Sequence, residues 1–248
     1  MPSAPWTPRH TAAALAGGHL LIAGAPGTGK SRLLNGTLLP ALVRAGDPLL
    51  VIQDPATGHG PTLGLRAATF GREAAVGDLL ARPTLVTFTG THPEREAQAE
   101  RLFADLPAAL AAAPAPAGAR RFLVIDVAPL TPALRSFAPL LRQARSLGCT
   151  LIVTCQSPSS LEPGLPALFT SHVAFYHFYK RCLRVMAENV LAATGAEETN
   201  PSGKPTPINR FGQPLATPAS RMVGKLGDLK VGECFLVTPG APYEPLRT

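Results

Sequence analysis

The sequence predicts an α/β fold in which a mostly parallel sheet carries helices on both faces. Three observations predict it. Seven apolar runs recur along the chain with helix-patterned stretches between them, an alternation that builds a parallel sheet through crossover connections. The runs are short and nearly continuous in apolar residues, as strands covered on both sides must be. Glycine (23) and proline (27) gather between the runs rather than within them. With 46% hydrophobic residues, a chain of 248 can bury a sizeable core. One domain is expected over 1–248, with 1–17 as an N-terminal extension and 197–220 as a long loop insertion.

The first run, His19–Ala23, leads into Gly24-Ala25-Pro26-Gly27-Thr28-Gly29-Lys30-Ser31, a complete GxxxxGK(S/T) phosphate-binding loop. The glycines let successive backbone N–H groups point at one anion. From Arg32 to Val43 the apolar spacing is that of a helix, whose N-terminal partial charge would face the phosphates. Residues 24–32 are therefore expected to hold ATP, with Lys30 on the β- and γ-phosphates and the Ser31 hydroxyl on Mg2+.

The second run, Leu49–Gln53, ends before Asp54, and a loop is expected at Gly58–Pro61. Thr84–Phe88 is the third run, followed by a helix at about Glu94–Leu110 and an Ala/Pro connection at Ala111–Ala119. Phe122–Ile125 then ends in Asp126, a carboxylate at the strand end where magnesium is held beside a phosphate loop. In Leu134–Leu147, Leu134, Phe137, Leu140, Leu141, Ala144 and Leu147 share one helical arc, opposite Arg135, Arg142 and Arg145. That basic face is either solvated or reaches DNA phosphates or a neighbouring subunit's nucleotide. Thr150–Thr154 precedes Gln156, placed to orient water or sense the γ-phosphate. His172–Phe178 and Cys234–Thr238 complete the runs.

A net charge of +7 favours a polyanionic partner, nucleic acid first. Cys149, Cys155, Cys182 and Cys234 form no CxxC pair, so reduced thiols are expected rather than a zinc site. No run approaches the ~20 apolar residues of a membrane span, which points to a soluble intracellular chain.

The stretch HLLIAGAPGTGKSRLLN (19–35), with LLVIQDP (49–55) and FLVIDVAPL…LLRQARSLGCTLIVTCQSPSSL (122–161), resembles the FtsK/HerA superfamily of DNA-pumping ATPases. LGDLKVGECFLV (226–237) resembles that family's terminal strand and its preceding turn. The resemblance implies a RecA-like P-loop NTPase that hydrolyses ATP with Mg2+ and assembles into a ring, normally a hexamer, around double-stranded DNA. In such a ring Arg142 or Arg145 would reach the neighbouring subunit's nucleotide. The chain's compactness resembles viral genome-packaging ATPases, implying capsid or membrane-vertex partners and a place in the host cytoplasm or on the virion. Plasmid transfer ranks second. One departure matters: the family's general-base Glu, next to Asp126, is here Val127. Asp54 is the first substitute, Glu94 or Glu96 the second. Without a substitute the chain would be an ATP-binding assembly protein with weak hydrolysis.

Overall fold

Each of the seven apolar runs forms a strand. The computed structural model describes residues 3–16, 18–53, 64–70, 76–113, 115, 119–126, 138–162, 164–177, 180–194, 218–238 and 245–248. Its strands are Ala4–Pro5 (β1), Leu20–Ala23 (β2), Leu49–Gln53 (β3), Arg66–Thr69 (β4), Thr84–Thr87 (β5), Arg121–Asp126 (β6), Cys149–Cys155 (β7), Ser171–Phe175 (β8), Glu233–Val237 (β9) and Pro245–Arg247 (β10). Its helices are Pro8–Ala16 (α1), Lys30–Leu33 (α2), Leu39–Ala45 (α3), Val76–Leu80 (α4), His92–Ala112 (α5), Ala138–Ala144 (α6), Lys180–Thr194 (α7) and Pro218–Gly227 (α8). A π-helical turn, Leu34–Leu38, joins α2 to α3.

The strands make one sheet in the order β1-β10-β9-β8-β2-β7-β6-β3-β5-β4. From β8 to β4 every pairing is parallel; β9 runs antiparallel to both β8 and β10. Alternation along the central strands sends side chains into two apolar layers. Leu20 and Ile22 of β2 pack with Leu33, Leu39 and Leu42 of α2 and α3 and Ala14 of α1. Leu21 and Ala23 face the other way, into the layer made with α5, α6, α7 and α8. This is the expected doubly covered sheet.

The expected helix at 94–110 starts two residues earlier, because Thr91 and Glu94 close a capping box that satisfies the first backbone donors. It continues through Pro107, a residue that ordinarily breaks a helix, because Ala99, Leu102, Phe103, Leu106 and Leu110 bury one continuous face. The apolar run at 172–178 outlasts its strand. β8 ends at Phe175, and the Tyr176 carbonyl accepts from Ala25 N (3.0 Å) instead of a ladder partner. The residues read as an N-terminal extension are built into the sheet through β1. The loops expected at 58–61 and, as far as 217, at 197–220 lie outside the described residues, and α8 takes 218–220.

Candidate nucleotide-binding site

The phosphate loop leaves β2 at the carboxyl rim of the parallel strands, where ligands of such sheets bind. Two backbone bonds hold its first residues: Gly24 N donates to Cys155 O (3.3 Å) on one side, and Ala25 N to Tyr176 O on the other. Gly24 is obligatory, since a Cβ there would stand 2.5 Å from Phe175 Cβ. Gly29, at φ 115°, caps α2 in a conformation that L side chains rarely adopt. Thr28 is buried and its hydroxyl donates to Ala25 O (2.8 Å), closing the loop on itself. Pro26 and Gly27 are exposed at the crest, and Ser31 and Arg32 are exposed on the first turn of α2.

Lys30 folds back under the loop. Its Nζ donates to Gly24 O (2.7 Å) and Ala25 O (2.8 Å). Burial lowers its pKa, while Cys155 and the Asp126 carboxylate act in the opposite sense. The structure thus brings Lys30 and Asp126, 96 residues apart in sequence, within electrostatic reach of each other. Burial also pushes the Cys155 thiol up to about 12, so it stays protonated beside Lys30.

Asp126 is the centre of a polar row that the sequence did not disclose. Register places Gln53, Asp126 and Thr154 side by side across β3, β6 and β7. Gln53 Nε2 donates to Asp126 Oδ2 (3.3 Å), and the Thr154 hydroxyl donates to Asp126 Oδ1. All three are buried, so each depends on the others for its hydrogen bonds. A carboxylate fixed in this way, with an exposed serine hydroxyl on the facing loop, is the hard oxygen donor set that suits Mg2+.

Gln156 is exposed one residue past β7, on the same rim. Ser157 caps the turn that follows, its side chain accepting from Ser159 N (3.2 Å). His177 was hidden in sequence inside an apolar run. It is buried here, two residues past β8. Burial first, and then the charge of Lys30, hold this imidazole below its usual range.

The other expected residues fall elsewhere. Glu94 Oε2 accepts from Thr91 N (2.6 Å) and Thr91 Oγ1 (2.9 Å) as part of the helix cap, and Glu96 pairs with His92 (3.2 Å). Arg142 is exposed and pairs with Glu162 (3.6 Å). Arg145 lines a cleft of about 270 Å³ with Gly18, His19, Arg120, Gly148 and Cys149, at the amino rim of the sheet. Arg145 thus lies at the rim opposite the loop of its own chain. Asp54, Val127 and Arg135 lie outside the described residues.

The sheet and its phosphate loop give the RecA-like P-loop NTPase fold, with a buried strand-end carboxylate on the same rim as the loop. No protein-family model matches the sequence, and neither does any curated protein. Solved structures do match. The genome packaging NTPase B204 of Sulfolobus turreted icosahedral virus 2, in complex with AMPPCP, aligns over 92% of this chain and 96% of its own, with a TM-score of 0.60 at 14% identity. The bacterial conjugative coupling protein TrwB aligns over 92% and 85%, with a TM-score of 0.60 at 13% identity. The cytoplasmic domain of the Thermomonospora curvata type VII secretion ATPase EccC aligns over 93% of this chain and 25% of its own, with a TM-score of 0.54 at 20% identity. The viral and conjugative proteins are FtsK/HerA-type P-loop ATPases, and this chain shares their fold. Among the described residues no helix is long and apolar enough to cross a membrane.

Proposed function

We propose that this protein is an ATP-dependent translocase of double-stranded DNA that packages a viral genome into its capsid. One observation carries the reading: Lys30 and a hydrogen-bonded Asp126 converge on one rim beneath an intact phosphate loop. Two further facts support it. The viral NTPase with this fold is named for genome packaging and was solved with ATP analogues, and this chain carries a net charge of +7. Plasmid DNA transfer is the runner-up, supported by the similarity to the conjugative coupling protein.

In this reading the loop amides and Lys30 bind the β- and γ-phosphates, and Ser31 and Asp126 hold magnesium. The metal, when bound, would neutralise charge on the phosphate oxygens. Gln156 orients water at the γ-phosphate. Arg145 suits a role across a subunit seam better than Arg142, because Arg142 is engaged by Glu162 and Arg145 lines an open cleft. Subunits would form a ring, a hexamer by the resemblance, gripping DNA phosphates without reading bases. Capsid or membrane-vertex proteins would be its docking partners, in the host cytoplasm or on the virion.

Val127 favours a second reading, an ATP-binding assembly protein with weak hydrolysis. Glu94 and Glu96 are engaged at the start of α5, which leaves Asp54 as the substitute base. Phosphate release measured with and without linear duplex DNA separates the readings. A motor responds with a several-fold rise that Lys30→Ala abolishes; a flat response to duplex refutes pumping.

A further inference from the structure

The phosphate loop has two flanks, and the scheme above uses one. Asp126 ends β6 and Gln156 follows β7, the side of β2 where the γ-phosphate and its metal would sit. A triphosphate is linear, so its nucleoside end leaves over the other flank, toward β8 and β9. β9 runs antiparallel to β8, with Cys234 level with Phe175, so the chain enters β9 at the same rim as the loop. The connection that brings it there, 228–232, is fastened to the loop. Gly232 N donates to Thr28 O (2.9 Å), and Thr248 N donates to Gly232 O (2.8 Å). A Cβ on Gly29 would stand 3.3 Å from both Gly232 Cα and Thr248 Oγ1, so this turn lies directly against the loop. The Glu233 carboxylate accepts from Lys230 N (2.9 Å) and from Ser3 Oγ (2.8 Å), which ties the turn to the residue before β1. On this mount Val231 is 77% exposed, the one large apolar side chain so placed among the described residues.

We propose that Val231 seats the nucleobase, as an apolar platform carried on a turn fastened to the phosphate loop. This rests on the nucleotide-site reading above, in which Lys30, Ser31 and Asp126 hold phosphates and metal and leave the base unassigned. A purine face offers no hydrogen-bonding group, so water leaves that face and the valine methyls together when the two meet. Such a contact ignores the polar edge of the base, so adenine and guanine are seated alike. The bond from Gly232 to Thr28 fixes the spacing between platform and phosphates. The base is therefore met by a surface already in place, without the cost of ordering a free loop.

Calorimetric titrations of the full chain with magnesium test this, using AMPPNP, GMPPNP and inorganic tripolyphosphate, which has no base. Val231→Ser removes the methyls without adding charge, at a position exposed enough for the fold to tolerate the change. AMPPNP and GMPPNP should each bind Val231→Ser about 3- to 10-fold more weakly than wild type, while tripolyphosphate affinity shifts less than about 2-fold. Val231→Ile, which keeps an apolar surface, should bind AMPPNP within about 2-fold of wild type. An equal loss for tripolyphosphate, or a loss for one purine alone, overturns the proposal. Unchanged AMPPNP affinity in Val231→Ser with a fall in oligomer mass also overturns it, and assigns Val231 to a contact between subunits. Wild type that binds neither AMPPNP nor tripolyphosphate overturns the nucleotide-site reading as well. Wild type that binds both, with Val231→Ser matching it, removes the role of Val231 alone.

Discussion

Replacing Thr154 by valine removes one hydroxyl and keeps the side-chain shape, so it isolates the bond that orients Asp126. Thr154 is 1% exposed and Asp126 5%, which means that water cannot replace the lost donor without opening the sheet edge. The remaining partner, Gln53 Nε2 at 3.3 Å, is already beyond the ideal length and cannot serve both carboxylate oxygens. A hydrogen bond to a charged group contributes about 1.5–3 kcal/mol, and here it is lost from a carboxylate that stays buried. Thr154→Val should therefore lower unfolding stability at pH 7 by about 1.5–3 kcal/mol, read as a fall in the urea midpoint at constant slope. Thr154→Ser, which keeps the donor, should lose less than half as much. The polar row is refuted as a support for Asp126 if Thr154→Val unfolds within about 0.5 kcal/mol of wild type.

Gly24→Ala should cost about 1–3 kcal/mol and at least about 10-fold in nucleotide affinity, because its Cβ would meet Phe175 Cβ at 2.5 Å and force the loop outward. Phe175→Ala should not rescue it, since alanine keeps the offending atom; titration of the double variant with a fluorescent ATP analogue checks this, and restored affinity would refute the clash. His19 and His172 are held down to about 4, chiefly by burial. The unfolded chain therefore binds more protons between pH 6.5 and 4, and stability present above 6.5 is lost as pH falls through that window, by up to about 1.4 kcal/mol per pH unit for each histidine. His19→Asn, which still offers Leu151 N an acceptor, should flatten the dependence of the urea midpoint on pH; an unchanged slope would exclude His19 as a contributor. In a ring, mixing Lys30→Ala with Arg145→Ala subunits should restore activity that neither shows alone, because some seams regain an intact loop and an intact arginine. No recovery would exclude Arg145 from the seam.

The central strands were legible because burial on both faces leaves continuous apolar runs, and the loop because its chemistry demands fixed residues at fixed spacing. The edge strands β1, β4 and β10 were not. Arg66–Thr69 is mixed in character and only partly buried, and its ladder is specified by β5 rather than by its own side chains. Asp126 stood out at the end of an apolar run, but Gln53 and Thr154 become its partners only through register between strands distant in sequence. The polar residues at the ends of runs two and five were visible, and pairing strand ends across the sheet would have found them. His177 was concealed for the opposite reason. An apolar run longer than its strand hides where the sheet stops, and this residue lies two positions past the end of β8.

The second strand sits under unusual confinement. Leu20, Leu21 and Ile22 expose nothing, with hydrogen-bonded strands on both flanks and packed apolar layers above and below. A segment hemmed in on four sides has no direction in which to yield. Whatever displacement a bound ligand produces must then be taken up by the crest and by the chain ends around it, while β2 serves as the fixed mount. Substitutions that loosen that mount, such as Ile22→Ala, should blunt the response to ligand even though no atom of Ile22 belongs to the site.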